Sequence, residues 1–207
     1  MKKIMKQPLF AALGLLALVL TSTNASAIII GFEPSSQTAT PGVTVSLDLV
    51  VSDLGTDSVG DFDIDIAYDN AALSFLGYNL GEGLGDVGLF EADDFSWGDL
   101  GGGLINLSEV SYLFDFELDA LQPGDSLTLA TLDFGVDVLA LGSSTTVSVD
   151  TVWAIGDAFG QALDISALND GVISNPDIVD VPEPSVLMMM VLGLVGVGFS
   201  RRAKKKA

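Results

Sequence analysis

The stretch DFDIDIAYD, residues 61–69, decides the fold: Phe62, Ile64, Ile66 and Tyr68 alternate with Asp61, Asp63 and Asp65. Successive side chains of an extended strand point to opposite faces of the sheet. A strict period of two therefore predicts a strand with one apolar face against a core and one acidic face turned away from it.

The same period recurs on either side. In VTVSLDLVV, residues 43–51, Val43, Val45, Leu47, Leu49 and Val51 share one face, opposite Thr44, Ser46 and Asp48. In LTLATLDFGVDV, residues 127–138, the apolar phase slips between Leu129 and Leu132, then runs on through Phe134, Val136 and Val138, which predicts a β-bulge. TTVSVDTVW, residues 145–153, adds a strand carrying Val147 and Val149. Trp153 continues its apolar parity and is expected in the core, with sugar stacking as the other reading. Turn signals separate these runs at Pro41-Gly42, Asp53 to Gly55, Asp69-Asn70, Pro123-Gly124-Asp125, Gly142 to Ser144 and Asn169-Asp170-Gly171. No long helical period competes, and the Gly-rich segment 81–103 reads as a long loop or irregular connections. Many short strands around one core predict an all-β chain with a single β-sandwich.

Charge is segregated. All eight Lys and Arg lie at the ends, and 27 of the 28 Asp and Glu fall within residues 28–180, giving that body a formal charge of −27. Such a surface repels phosphate backbones and anionic lipid heads, so nucleic acid is excluded as a partner. The apolar content of 49% is far from that of a disordered acidic chain. The absence of His and Cys removes disulfides, thiolate zinc sites, Cys nucleophiles and His-based acid/base catalysis.

The termini read as addresses. Residues 1–27 have a basic start, an apolar run from about Leu9 to Leu20, and small residues Ala25 and Ala27 around Ser26. That is the layout of a signal peptide, passed through the secretion translocon and cleaved after Ala27. At the other end, residues 176–185 form a linker holding Val181, Pro182, Glu183 and Pro184, where the prolines keep the chain extended. Residues 186–200 are uncharged and largely apolar, a short transmembrane helix of about 22 Å. The tail 201–207, with Arg201, Arg202, Lys204, Lys205 and Lys206, stays cytoplasmic by the positive-inside rule.

The sequence VPEP, the short apolar segment and the basic end, in that order, resemble the PEP-CTERM sorting signal of Gram-negative bacteria. The resemblance implies an exosortase-type processing enzyme as partner, a precursor held transiently in the inner membrane, and a mature form at the cell surface or outside the cell. The body, residues 28–175, resembles a cohesin-like domain, a jelly-roll sandwich related to carbohydrate-binding modules. The matching stretches are PGVTVSLDLVVSD (41–53), VGDFDIDIAYDNAALSFLGY (59–78), LQPGDSLTLATLDFGV (121–136) and GSSTTVSVDTV (142–152). That likeness implies a non-enzymatic module for protein–protein adhesion or scaffolding in a surface or matrix protein. An unidentified extracellular protein is the expected partner, with binding of an extracellular polysaccharide as the alternative and glycoside hydrolysis a distant third.

Of the acids, Asp61, Asp63 and Asp65 share a strand face and read first as a solvated polar surface. The loop acids Glu91, Asp93, Asp94 and Asp99, set among glycines, are the better candidates for a hard cation, and calcium is the one cofactor they suggest. Trp97, Phe95 and Tyr112 are candidates for sugar stacking, and Asn106-Leu107-Ser108 fits a glycosylation sequon.

Overall fold

The computed structural model describes residues 27–176, which form two packed β-sheets. The strands are β1 (Ala27–Glu33), β2 (Ser36–Thr38), β3 (Thr44–Ser52), β4 (Asp61–Tyr68), β5 (Leu73–Leu80), β6 (Ala92–Asp94), β7 (Gly98–Gly101), β8 (Leu104–Ser111), β9 (Ser126–Val136), β10 (Ser144–Gly156), β11 (Asp164–Leu168) and β12 (Gly171–Ser174). One sheet runs β11-β1-β3-β9-β5. The larger runs β2-β12-β10-β4-β8-β6, with β7 also paired to β8. Most pairs are antiparallel, but β1 with β11 and β2 with β12 are parallel. Residues 1–26 of the signal segment, including Ala25, and the sorting motif, apolar segment and basic tail lie outside the described residues, whereas Ala27, the last residue of the expected signal segment, opens β1. Among the described residues no helix is long and apolar enough to cross a membrane.

The period-two reading of the central strands is carried out in the packing. Phe62, Ile64 and Ile66 of β4 face Val45, Leu47, Leu49 and Val51 of β3 across a core that also takes in Ile28, Ile30 and Phe32 of β1. Val43 precedes β3 and is exposed rather than part of this face. Phe134 sits at the centre, its ring 5.3 Å from Tyr68 and 5.8 Å from Phe75, both tilted. Such tilted pairs add about 0.5–1.5 kcal/mol beyond the area they bury.

The bulge expected in residues 127–138 is present. Leu49 pairs with Ala130 and Val50 with Thr128, so Leu129 is the extra residue, and both Leu127–Leu129 and Leu132–Val136 keep their apolar side chains in the core.

Trp153 is a correction. Two bulges interrupt β10: Asp150 is skipped between the pairs Val149–Ile66 and Thr151–Asp65, and Trp153 between Val152–Ile64 and Ala154–Asp63. The inward phase passes from Val149 to Val152 to Ile155, and Trp153 turns out of the core with 67% of its surface exposed.

Segment 81–103 is also more ordered than expected. It contains two 3-10 turns, Glu82–Leu84 and Val87–Leu89, then β6 and β7. The β7–β8 hairpin turns through Gly102 and Gly103, both at positive φ, and a Cβ on Gly103 would run into the Tyr68 carbonyl. A short helix, α1 (Asp115–Leu121), buries only Leu118; its start is fixed by the Glu117 carboxylate accepting from the Phe114 amide at 2.9 Å. Gln122 behind it is buried and clamps three segments. It accepts from the Val59 amide and donates to the carbonyls of Val59 and Gly83, all within 2.9 Å.

Candidate functional site

On the outer face of the larger sheet, four neighbouring strands converge on one shallow cleft. β10 brings Trp153, β4 brings Asp63 and Asp65, β8 brings Asn106, and β7 with the residue before it brings Leu100 and Trp97. The cleft encloses about 250 Å³, below the ~300–1,000 Å³ of drug-sized sites. A larger hollow of about 620 Å³ on the outer face of β1 and β3, lined by residues such as Glu33, Asp48, Val50 and Asn169, contains no tryptophan, and its one aromatic residue, Phe32, is buried.

Asn106 is the hub. Its Nδ2 donates to Asp63 Oδ1 at 2.8 Å and to Asp65 Oδ1 at 2.9 Å, and its Oδ1 accepts from the Trp97 amide at 3.2 Å. Trp153 Nε1 donates to Asp65 Oδ2 at 2.8 Å. Asp65 and Asn106 are only 8% and 7% exposed, whereas Trp97 and Trp153 are 81% and 67% exposed. A buried polar anchor thus holds the Trp153 indole and the Trp97 backbone, with both rings open to solvent. Hydrogen bonds to a charged acceptor contribute about 1.5–3 kcal/mol each. Two hydrogen bonds reach Asp65, both from neutral donors.

The acidic face of β4 is therefore only partly the solvated surface expected of it. Asp65 is buried, and Asp61 lies against the Asp157 turn, where burial first and the Asp157 charge second push its carboxyl above the usual range. Asn106 of the sequon is buried with both ends of its amide engaged.

The four loop acids are spread among separate hydrogen bonds. Asp93 and Asp94 are consecutive on β6, so they point to opposite sides: Asp93 accepts from the Tyr112 hydroxyl at 2.7 Å, Asp94 from the Tyr78 hydroxyl at 2.9 Å and the Ser96 amide at 2.8 Å. Glu91 accepts from the Asp86 amide and Asp99 from the Gly101 amide. Among the described residues no three carboxylates stand together as a metal site. The hydrogen bond to Asp93, more than burial, holds the Tyr112 phenol above its ordinary value.

Sequence reasoning missed Glu109. It lies on β8 opposite Phe62, on the core side, fully buried, with neither carboxylate oxygen partnered. Burial, and secondarily the charge of Asp94, raise it to about 7. The signal was available in principle, because Ile105, Leu107 and Glu109 share one strand parity.

Comparison with known proteins gives two findings. Residues 180–202 match the family model of the PEP-CTERM protein-sorting motif. No curated protein matches the chain in sequence. Among solved structures, the chain is similar to the seventh ScaB type I cohesin of Pseudobacteroides cellulosolvens, with a TM-score of 0.57 and 14% identity over 76% of this chain and 97% of that one. It is also similar to the sixth cohesin of scaffoldin B from Acetivibrio cellulolyticus, solved in complex with a Cel5 dockerin mutant (TM-score 0.56, 15% identity, 72% and 99% covered). A type II cohesin domain from the cellulosome of Acetivibrio cellulolyticus gives a TM-score of 0.56 at 19% identity, with 72% and 95% covered. The chain thus joins a β-sandwich of the cohesin fold to a C-terminal PEP-CTERM sorting motif.

Proposed function

We propose that this is an exported adhesion or scaffolding protein that acts by binding a protein partner and not by catalysis. The observation that carries this reading is the union of a cohesin-type sandwich with a sorting motif. The surface supports it. Around α1, Tyr112, Phe114 and Phe116 are each more than half exposed, the last two rings stacked at 6.0 Å, and Phe90 and Phe159 are exposed as well. Aromatic residues are enriched at protein interfaces, and isolated hydrophobic side chains on a surface are ordinary whereas groups of them mark contact sites. In this reading the first 27 residues direct export, residues 28–175 bind, and an exosortase-type enzyme acts at Val181-Pro182-Glu183-Pro184 while the short helix 186–200 and the basic tail hold the precursor in the inner membrane.

Two measurements test it. Replacing Pro182, Glu183 and Pro184 together by Ala should leave the protein in the inner-membrane fraction, and equal recovery outside the cell would refute the sorting role. Crosslinking on the cell surface should recover a defined protein partner, and the pair Phe114→Ser and Phe116→Ser should abolish it. Undiminished capture by that double variant would remove the aromatic surface from the interface.

A further inference from the structure

The Trp97–Trp153 cleft has a chemical demand that the protein does not itself meet. Asp63 and Asp65 both sit within hydrogen-bond distance of one amide nitrogen, and Asp65 is more than nine-tenths buried. A buried carboxylate is ordinarily matched by a cation. Yet no Lys or Arg occurs between residues 7 and 200, so none exists among the described residues. Among the described residues only neutral donors, Asn106 and Trp153, reach the pair, and the second oxygen of Asp63 accepts no bond from them. Beside these acids stand both tryptophans of the chain, their faces open to solvent.

We propose that this cleft is a receptor for an arginine side chain presented by a partner protein, its guanidinium donating to Asp63 and Asp65 while lying against the indoles of Trp97 and Trp153. The guanidinium satisfies each part of the site at once. Its planar fork of donors matches carboxylate oxygens, and its face stacks on aromatic rings. Cation–π attraction is strongest over Trp. A lysine ammonium is a compact, strongly hydrated point charge and meets only the electrostatic half of the demand. A neutral sugar could stack on the indoles but would leave two like charges uncompensated. The Trp153 indole, turned outward by the bulge and bonded to Asp65, is preorganised, and Asn106 fixes the backbone that carries Trp97, which reduces the ordering cost of binding. The inference rests on the protein-partner reading above and specifies what the partner must offer.

Because the chain has two tryptophans and both line the cleft, intrinsic fluorescence reports on it directly. The probe is a blocked Gly-Arg-Gly peptide titrated into the full chain in detergent micelles, with the Gly-Lys-Gly peptide and a neutral cello-oligosaccharide in parallel. Saturable change is expected with the arginine peptide, weaker binding with lysine, and no response to the sugar. Asp63→Asn keeps an acceptor for Asn106 while removing the charge, and is expected to weaken binding about tenfold. Trp97→Ala should do the same, read from Trp153. Asp119→Asn, which deletes one exposed charge on α1 outside the cleft lining, should leave the affinity within about twofold, since solvent screens such a charge.

Three results would overturn the proposal: no saturable response to the arginine peptide, equal weakening by Asp119→Asn and Asp63→Asn, which means diffuse attraction to an acidic body, or a sugar response that survives Asp63→Asn, which means a glycan cleft. Peptide binding is measured without the natural partner, so its failure is distinct from a failure of the crosslinking experiment.

Discussion

Asp65 and Glu109 lie on adjacent strands of one sheet, both buried, yet on opposite faces and in opposite circumstances. Asp65 on the outer face receives Asn106 Nδ2 and Trp153 Nε1. Glu109 on the core face receives nothing and titrates near 7. The difference teaches that depth alone does not set the state of a carboxyl group. Donors aimed at the oxygens stabilise the charged form, and where they are missing burial favours the proton. One face of the sheet supplies donors to its buried acid, and the other leaves its buried acid without them, so that burial favours the proton on Glu109.

The largest effect should come from removing the hub of the outer face. Asn106→Leu takes the donor from Asp63 and Asp65 and the acceptor from the Trp97 amide. At about 1–3 kcal/mol for each polar group left unsatisfied, a loss of about 4 kcal/mol is expected in urea unfolding at pH 7. A loss under about 1 kcal/mol would mean that water replaces the amide, and the contrast between the faces would collapse.

The core face gives the next effect, with the opposite sign. The carboxyl of Glu109 rises from 4.5 to about 7 on folding, so the folded state holds the proton more tightly. Its contribution is fully present below pH 4.5 and is lost as pH rises through 7, about 3 kcal/mol in all. Glu109→Gln, which cannot ionise, should therefore gain on the wild type by up to that amount between pH 4.5 and pH 8. Parallel stability curves for the two proteins across this range would show that Glu109 finds a partner after all.

How much of this contrast was legible in the sequence depends on whether parity survives along each strand. In β4 the alternation of Phe62, Ile64 and Ile66 with aspartates is unbroken, and in β9 the slip after Leu129 is written in the apolar residues themselves. In β10, Val147, Val149, Thr151 and Trp153 keep a plausible period of two, and nothing in those side chains betrays a bulge at Asp150 that turns the tryptophan outward. Helix α1 was hidden because a single buried residue, Leu118, makes no periodic signal. The cleft itself depends on strand order, which sets residue 153 beside residue 65 and residue 106 on its other side. Local pattern does not encode that order. The loop acids could not be sorted from sequence, because it is their place on a strand that makes consecutive residues of β6 diverge, so that Asp93 and Asp94 serve different tyrosines.

The smallest expected effect concerns those same acids. Calcium, magnesium and sodium salts at matched ionic strength should raise the melting temperature equally, because screening of a −27 body accepts any ion. A rise selective for calcium at micromolar concentration would restore Glu91, Asp93, Asp94 and Asp99 as ligands and make the loop, not the sheet faces, the place where the protein handles charge.

The parallel pairing of β1 with β11 has a consequence in time. The Ser166 hydroxyl donates to the Ile28 carbonyl across 138 residues of chain, and β1 sits inside its sheet between β3 and β11. A polypeptide delivered N-terminus first thus presents one of its interior strands at the outset, while the neighbour that closes it arrives almost last. Contacts so distant in sequence form slowly. Such a chain stays threadable until nearly all of it has been handed over, which is compatible with the export proposed above.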